Sequence, residues 1–509
     1  MPKIITQLQD FLIQSALADP DKIALIAGKK SFTYREIHES SNALANCFLE
    51  MGVKRGDRIV VHLGNCVEAV IAFWAVLKAN AVVSWISPDL KADKIAYILQ
   101  DSGAKIFITD HLKNTEINYK VFNFLKNIIT VADDFHIYIS TGDRQQPPVC
   151  ENLTIDLASI LYTSGSTGEP KGVMLTHSNM LSAAYSVNAY LENKKTDIIA
   201  CVLPLSFDYG LYQMIMIFSV GGTLVLEKDL LWPTQLLKII EREKVTALPI
   251  VPTVISLLQE HSNYTHFDLS SIRYVSNTGA ALSVKHIDYI KYIFPAAKIY
   301  SMYGLTECKR CTYLPPRDID RKPYSVGIAI PNTEMWIVNE EDDKLAPHQV
   351  GQLVIRGATV MKGYWNKPLE TAQKLRPGPL PFEQVLYTGD YCSLDEEGYL
   401  YFHGRMDEVI KNRGIKISPK EIEDTLITLP GIKEVAVIGA QDEEMGDAIH
   451  IYVAHETPGV VTVDYIMDFC KKRLEHTKWP QRIFILAGLP KTANGKINKR
   501  ALKATCEIA

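Results

Sequence analysis

Little in this sequence points toward a lipid or nucleic-acid partner. No apolar run is long enough to span a bilayer. The longest apolar region, Ala69 to Ile86, is interrupted by Lys78 and Asn80, whereas a spanning helix needs about 20 consecutive apolar residues. Gln7, Gln9 and Asp10 break up the N-terminus, so no secretory core is expected there. Charge of one sign is not in excess: the formal net charge is −4, which gives no electrostatic footprint for nucleic acid or an anionic membrane. The nine cysteines are scattered without a framework, and this predicts a reduced, cytoplasmic chain. Cys308-Lys309-Arg310-Cys311 is the one C-x-x-C pair. With no second pair and no Cys/His cluster near it in sequence, a redox or zinc role has weak support.

What the sequence has is apolar content and alternation. At 509 residues and 47% hydrophobic, the chain is too long for one core and predicts two or more domains. Strand patterns at Arg58 to Leu63, Ala81 to Ile86 and Ala104 to Thr109 alternate with helix patterns at Val67 to Ala79 and Ala92 to Gln100. The alternation resumes from Ala200 to Ser301, so the fold class is α/β with two parallel layers. After about Ser325, short β-like runs rich in Gly and Pro predict a small β subdomain. A compact α+β unit follows Gly404-Arg405-Met406-Asp407-Glu408. The expected domains are therefore 1–406 and 407–509.

Four short stretches carry chemistry. The first is Tyr162-Thr163-Ser164-Gly165-Ser166-Thr167-Gly168-Glu169-Pro170-Lys171-Gly172. Glycines that let N–H groups converge, short hydroxyls and one lysine suit a polyphosphate cradle; a flexible surface loop has the same composition. It is not a Walker A loop, because Lys171 sits between Pro170 and Gly172. Tyr303-Gly304-Leu305-Thr306-Glu307 follows a strand. Its carboxylate either holds Mg²⁺ on nucleotide phosphates or caps a helix with Thr306. Asp390 in Tyr387-Thr388-Gly389-Asp390 suits acceptance of two ribose hydroxyls or a plain β-turn. Lys496, after Asn494-Gly495, alone reads as a solvated lysine.

Taken together and in this order, these motifs resemble those of the adenylate-forming superfamily, which contains acyl-CoA synthetases, adenylation domains of peptide synthetases, and luciferases. The resemblance implies ATP and Mg²⁺ as cofactors and a small C-terminal domain that is mobile. It implies nucleotide contacts from Thr163, Ser164, Gly165, Ser166, Thr167, Gly168 and Lys171, from Gly279, Ala280 and Ala281, and from Tyr303 against the adenine. Glu307 is the implied metal ligand, with Thr306 on phosphate. Asp390 and Arg405 are assigned to the ribose and Asp407 to the hinge, and Gly414 to the thiol channel. Lys496 is the implied catalytic cation between the substrate carboxylate and the α-phosphate.

Substrate selection is expected near Phe207-Asp208. Amino-acid-activating members of the superfamily carry Phe-Asp here, the aspartate holding the substrate's ammonium; the competing reading is a helix N-cap. Tyr209, Tyr212 and Met302 would narrow the pocket and favour a small or ring-shaped amino acid, and proline is the leading expectation. Lys309 and Arg310 are expected to point to solvent. No attachment-serine motif of a carrier domain is present. The expected acceptor is therefore the phosphopantetheine thiol of a separate carrier protein, or coenzyme A. A freestanding amino-acid:carrier-protein ligase is the first reading. The rivals are an acyl-CoA or acyl-carrier ligase for a fatty or aromatic acid, and a non-catalytic nucleotide-binding protein.

Overall fold

The fold is described from a computed structural model, which covers residues 4–110, 117–164, 169–228, 232–259, 264–280, 282–412, 415–442, 446–455, 461–492 and 496–506. Two compact units are present, 1–334 with 355–386, and 335–354 with 387–509.

The first unit contains two sheets. One runs Gly363–Tyr364, Pro170–Thr176, Leu157–Ser164, Val82–Trp85, Arg58–His62, Ile106–Thr109, Asn127–Thr130 in spatial order. Its strands from Leu157–Ser164 to Asn127–Thr130 are parallel, while Leu157–Ser164 and Pro170–Thr176 form an antiparallel hairpin. The other has Lys298–Tyr303, Tyr274–Asn277, Ala247–Ile250, Ile198–Cys201, Thr223–Leu226 and Ile23–Ala27 in parallel, with antiparallel strands at both edges. Parallel strands covered on both faces read as short continuous apolar runs rather than alternating ones. Val82–Trp85, Ile106–Thr109, Thr223–Leu226 and Ala247–Ile250 are buried at every position. Helix Val67–Lys78 fits the same logic: it is apolar nearly all round, and its Trp74 stacks on Phe218 of helix Asp208–Ser219 at 5.5 Å.

Caps fix two long helices. Thr33 with Glu36 closes a capping box on Tyr34–Glu50, and Thr176 with Asn179 does so on His177–Leu191, each satisfying otherwise orphaned N–H groups.

In the second unit, Ile410–Asn412, Gly446–His455, Ile432–Asp442 and Arg482–Leu486 build one sheet with Ile415–Ile417. Ile410, Ile417, Ile422, Leu426, Ile449, Ile451, Ile466 and Cys470 form its core. Residues 335–354 and 387–406 group with this compact unit. Strand Leu400–Arg405 is tied to it, since its His403 carbonyl accepts from Ser418 Oγ at the start of helix Pro419–Leu426.

Gly327 shows how tightly one edge of the nine-stranded sheet is drawn. Its φ is +96°, and a Cβ there would lie 1.9 Å from the Tyr313 carbonyl oxygen. Gly64 has only a 3.9 Å contact. Gly327→Ala is expected to lower the thermal unfolding midpoint by about 5 °C or more, from both clash and left-handed strain. Gly64→Ala should leave it unchanged, and equal midpoints for the two variants would refute the assignment.

Candidate active site

Three loops leave the carboxyl ends of parallel strands in the nine-stranded sheet. These are the turn after Ile198–Cys201 that leads to Phe207 and Asp208, the turn after Tyr274–Asn277, and the loop after Lys298–Tyr303. That edge is where open α/β sheets bind ligands, because the connections there diverge from a common line of strand ends.

The third loop is a hairpin, not a helix start. Cys311 N–H donates to the Tyr303 carbonyl at 3.0 Å, and Met302 and Tyr303 pair with Tyr313 and Thr312. The capping alternative for Thr306 and Glu307 is therefore not what forms here. Gly304 is required by close approach, since a Cβ would sit 2.2 Å from the Lys309 carbonyl oxygen. Lys309 turns the chain with φ +61°.

Glu307 is held from two sides. Its carbonyl accepts from Met361 N–H at 2.7 Å, and its Oε1 accepts from the Tyr364 hydroxyl at 2.7 Å. Lys171 Nζ lies over the same Tyr364 ring, 5.6 Å from its centroid. Tyr364 thus ties the glutamate of one motif to the lysine of another, through a strand that pairs with Pro170–Thr176. The motif reading missed Tyr364, although Gly363-Tyr364-Trp365 offered an aromatic pair after a glycine. Among the described residues nothing is bonded to the second carboxylate oxygen of Glu307. One hard oxygen that is anchored but not consumed fits Mg²⁺ carried on phosphates, since that ion takes few ligands from protein.

Thr163 and Ser164 close the strand before the Ser/Gly turn, and Thr163 pairs with Lys171. Gly165, Ser166, Thr167 and Gly168 lie outside the described residues, as do Ala281 and Gly414. Gly279 adopts φ +87°, and the Ala280 carbonyl accepts from Asn277 Nδ2 at 2.8 Å. Among the described residues, Asn277 Oδ1 and Thr278 Oγ1 beside them are buried without a hydrogen-bond partner, and polar atoms buried in this way leave hydrogen-bonding capacity open at the strand end.

The residues around Asp208 settle the capping alternative and depart from expectation at Lys309 and Arg310. Asp208 is the first residue of helix Asp208–Ser219, and Phe207 occupies the cap without a side-chain bond, so Asp208 is not an N-cap. Lys309 and Arg310 do not point to solvent: each is 2% exposed. Lys309 Nζ donates to the Asp208 carbonyl, lies 3.5 Å from Asp208 Oδ2, and sits 3.8 Å from the Tyr212 ring centroid. Burial pushes the Lys309 ammonium well below the ordinary lysine range; Asp208 opposes that shift and Arg310 adds to it. Arg310 stacks on Tyr209 at 4.4 Å. Met302 is buried beside Tyr190, whose hydroxyl donates to its sulfur.

Cys308 and Cys311, both fully buried, bracket Lys309 and Arg310 with their sulfurs side by side. The described residues contain no Cys/His/carboxylate cluster that could ligate a metal, and no helix there is long and apolar enough to cross a membrane.

In the second unit, Asp390 and Arg405 are directly paired in adjacent strands, with Arg405 Nη1 3.3 Å from Asp390 Oδ1. Gly389 at φ +77° turns the backbone that presents Asp390. Asp407 receives Arg405 Nε at 3.2 Å within the short turn Met406–Glu408. Lys496 is exposed, and its carbonyl accepts from Thr492 N–H at 2.8 Å.

Residues 12–365 match the family described as AMP-binding enzyme, and residues 421–496 match the AMP-binding enzyme C-terminal domain. A long-chain-fatty-acid–CoA ligase of Bacillus subtilis is 33% identical over 97% of this chain and 94% of its own length. The 4-coumarate–CoA ligase 2 of Solanum tuberosum is 31% identical over 94% and 89%. Among solved structures, ATP-bound MatB from Rhodopseudomonas palustris superposes with a TM-score of 0.90 at 25% identity, over 98% of this chain and 99% of that one. The anthranilate CoA ligase AuaEII in complex with anthranoyl-AMP gives 0.89 at 26%, over 99% and 98%. The chain belongs to the AMP-binding enzyme family and is an AMP-forming ligase of the adenylate-forming superfamily.

Proposed function

We propose that this ligase activates a small amino acid with ATP, as the aminoacyl-adenylate, and passes the acyl group to a phosphopantetheine thiol. Activation of a carboxylic acid as its adenylate is the chemistry common to the family; the choice of acid is our reading. The observation that carries it is the largely buried Asp208 carboxylate, 11% exposed and 3.5 Å from Lys309 Nζ, which itself lies over the Tyr212 ring and precedes the buried Arg310. A hydrocarbon acid seated there would leave an ion pair and a guanidinium desolvated with nothing polar to offset them. A substrate ammonium gives Asp208 a charge-assisted partner instead. The relatives named above include ligases for long-chain fatty acids and 4-coumarate. Their names support coenzyme A as the thiol, but their apolar acids are ill matched to this cluster.

The chemical obstacle is anion meeting anion, because the acid's carboxylate must approach the α-phosphorus of a polyanionic nucleotide. Mg²⁺, when bound, neutralises phosphate charge and polarises the P–O bonds. Glu307 would hold it, kept in orientation by Tyr364. Lys171 and the Ser/Gly turn are assigned to the phosphates, with Thr306 beside Glu307. Asp390 is assigned to the ribose hydroxyls, with Arg405 fixing its carboxylate. To Lys496 we assign the cation that offsets charge as the carboxylate oxygen attacks and pyrophosphate leaves. In the second half-reaction a thiolate attacks the acyl carbon, and AMP departs with its phosphate oxygen.

ATP–pyrophosphate exchange across amino, aryl and fatty acids tests this. A small amino acid, with proline first, is expected to drive exchange, and exclusive use of fatty acids would contradict the reading. Asp208→Asn should raise the KM for that amino acid by about a hundredfold, through loss of a buried charge pair, without changing the KM for ATP. Lys496→Ala should lower the exchange rate by about a hundredfold or more at an unchanged thermal midpoint; an unchanged rate would remove the assignment. Single-turnover transfer to coenzyme A and to a pantetheinylated carrier protein, run side by side, identifies the acceptor.

A further inference from the structure

Arg310 has no role in the function set out above. Yet it is 2% exposed, and its Nε is buried without a hydrogen-bond partner among the described residues. Among the described residues no carboxylate pairs with its guanidinium, and the Tyr209 ring, 4.4 Å away, is its one strong neighbour of opposite polarity. That ring is itself fixed, its hydroxyl donating to the Ser276 carbonyl at 2.7 Å. An aromatic face offsets part of the cost of burying a cation but satisfies none of its five donors.

Counting charge sharpens the point. Lys309 has one carboxylate beside it, that of Asp208, and is already engaged with it and with the Tyr212 ring, while Arg310 has none among the described residues. Bringing a substrate ammonium to Asp208 would enlarge the excess of positive charge. The group that arrives with the same ligand and reverses that excess is its own carboxylate. A guanidinium fork matches a carboxylate through two parallel hydrogen bonds. Arg310 also follows Glu307 by three residues in one closed hairpin, so an acid held by Arg310 has its reacting end on the loop that carries the proposed metal ligand.

We propose that Arg310 receives the carboxylate of the acid substrate while Asp208 receives its ammonium, so that the two side chains select a zwitterion before adenylation begins. The inference rests on the adenylation reading of this site. It divides the work between two cations. Arg310 binds the acid in the ground state, so its loss appears in the KM for the acid, whereas loss of Lys496 appears in the rate.

The test uses pyrophosphate exchange with the acid identified by the panel, and competitive inhibition by that acid's primary amide, which keeps the ammonium and lacks the carboxylate. Arg310→Gln is expected to raise the KM for the acid at least about thirtyfold, as for other buried charge pairs that lose one partner. The KM for ATP should stay within about twofold and the Ki of the amide within about threefold, because neither ligand uses the guanidinium. Arg310→Lys, which restores the charge without the fork, should show a smaller loss. An acid KM near the wild-type value, or an amide Ki that rises in parallel with it, would overturn the proposal. If Arg310→Gln does not fold, Arg310→Lys is judged by the same split between acid and amide. If an aryl or fatty acid drives exchange instead, the amino-acid reading fails, while the Arg310 assignment is still measured with that acid and its amide.

Discussion

The geometry of the candidate site depends on how closely the backbone folds back on itself between Tyr303 and Cys311. Gly304 has to pass within 2.2 Å, measured at the position of a missing Cβ, of the Lys309 carbonyl, and the Cys311 N–H to Tyr303 carbonyl bond locks the turn. One short loop therefore sends Glu307 toward Tyr364 and Lys171 and draws Lys309 and Arg310 inward onto Asp208, Tyr212 and Tyr209. On the proposed assignment, the nucleotide-facing and acid-facing parts of the site are two sides of the same turn. Any residue other than glycine at 304 would push them apart together.

Charge then gives the candidate site its particular character. The sheet edge supplies a generic platform, since loops at the carboxyl ends of parallel strands host ligands of many kinds. What is particular here is an ionic cluster where a long apolar acid would want hydrocarbon. Removing two cations and an anion from water is expensive unless a ligand completes their pairing. The doubly charged small acid proposed above would do so, and a fatty chain would not.

Much of this was legible in the sequence, for physical reasons. Strands such as Arg58–His62 and Ile106–Thr109 stand out because burial on both faces demands unbroken apolar runs. Asp390 and Arg405, singled out from separate motifs, are indeed neighbours across a strand pair. Other features were not legible. Lys309 and Arg310 were expected in solvent because charged side chains usually are, and their burial follows from a left-handed turn and a close glycine approach that composition does not encode. Tyr364 reaches Glu307 across 57 positions of sequence, a separation that local periodicity cannot report. The strand before the Ser/Gly turn was read correctly, but its return as an antiparallel hairpin with Pro170–Thr176 depends on pairing, which no single segment reveals.

The most direct measurement of the central claim is the exchange kinetics of Gly304→Ala. If one turn aims both groups of side chains, the KM for ATP and the KM for the acid should each rise about tenfold or more, since a misplacement of about 1 Å costs on that scale or beyond, while the protein remains folded. A variant with both constants at wild-type values, or with only one of them changed, would contradict the account.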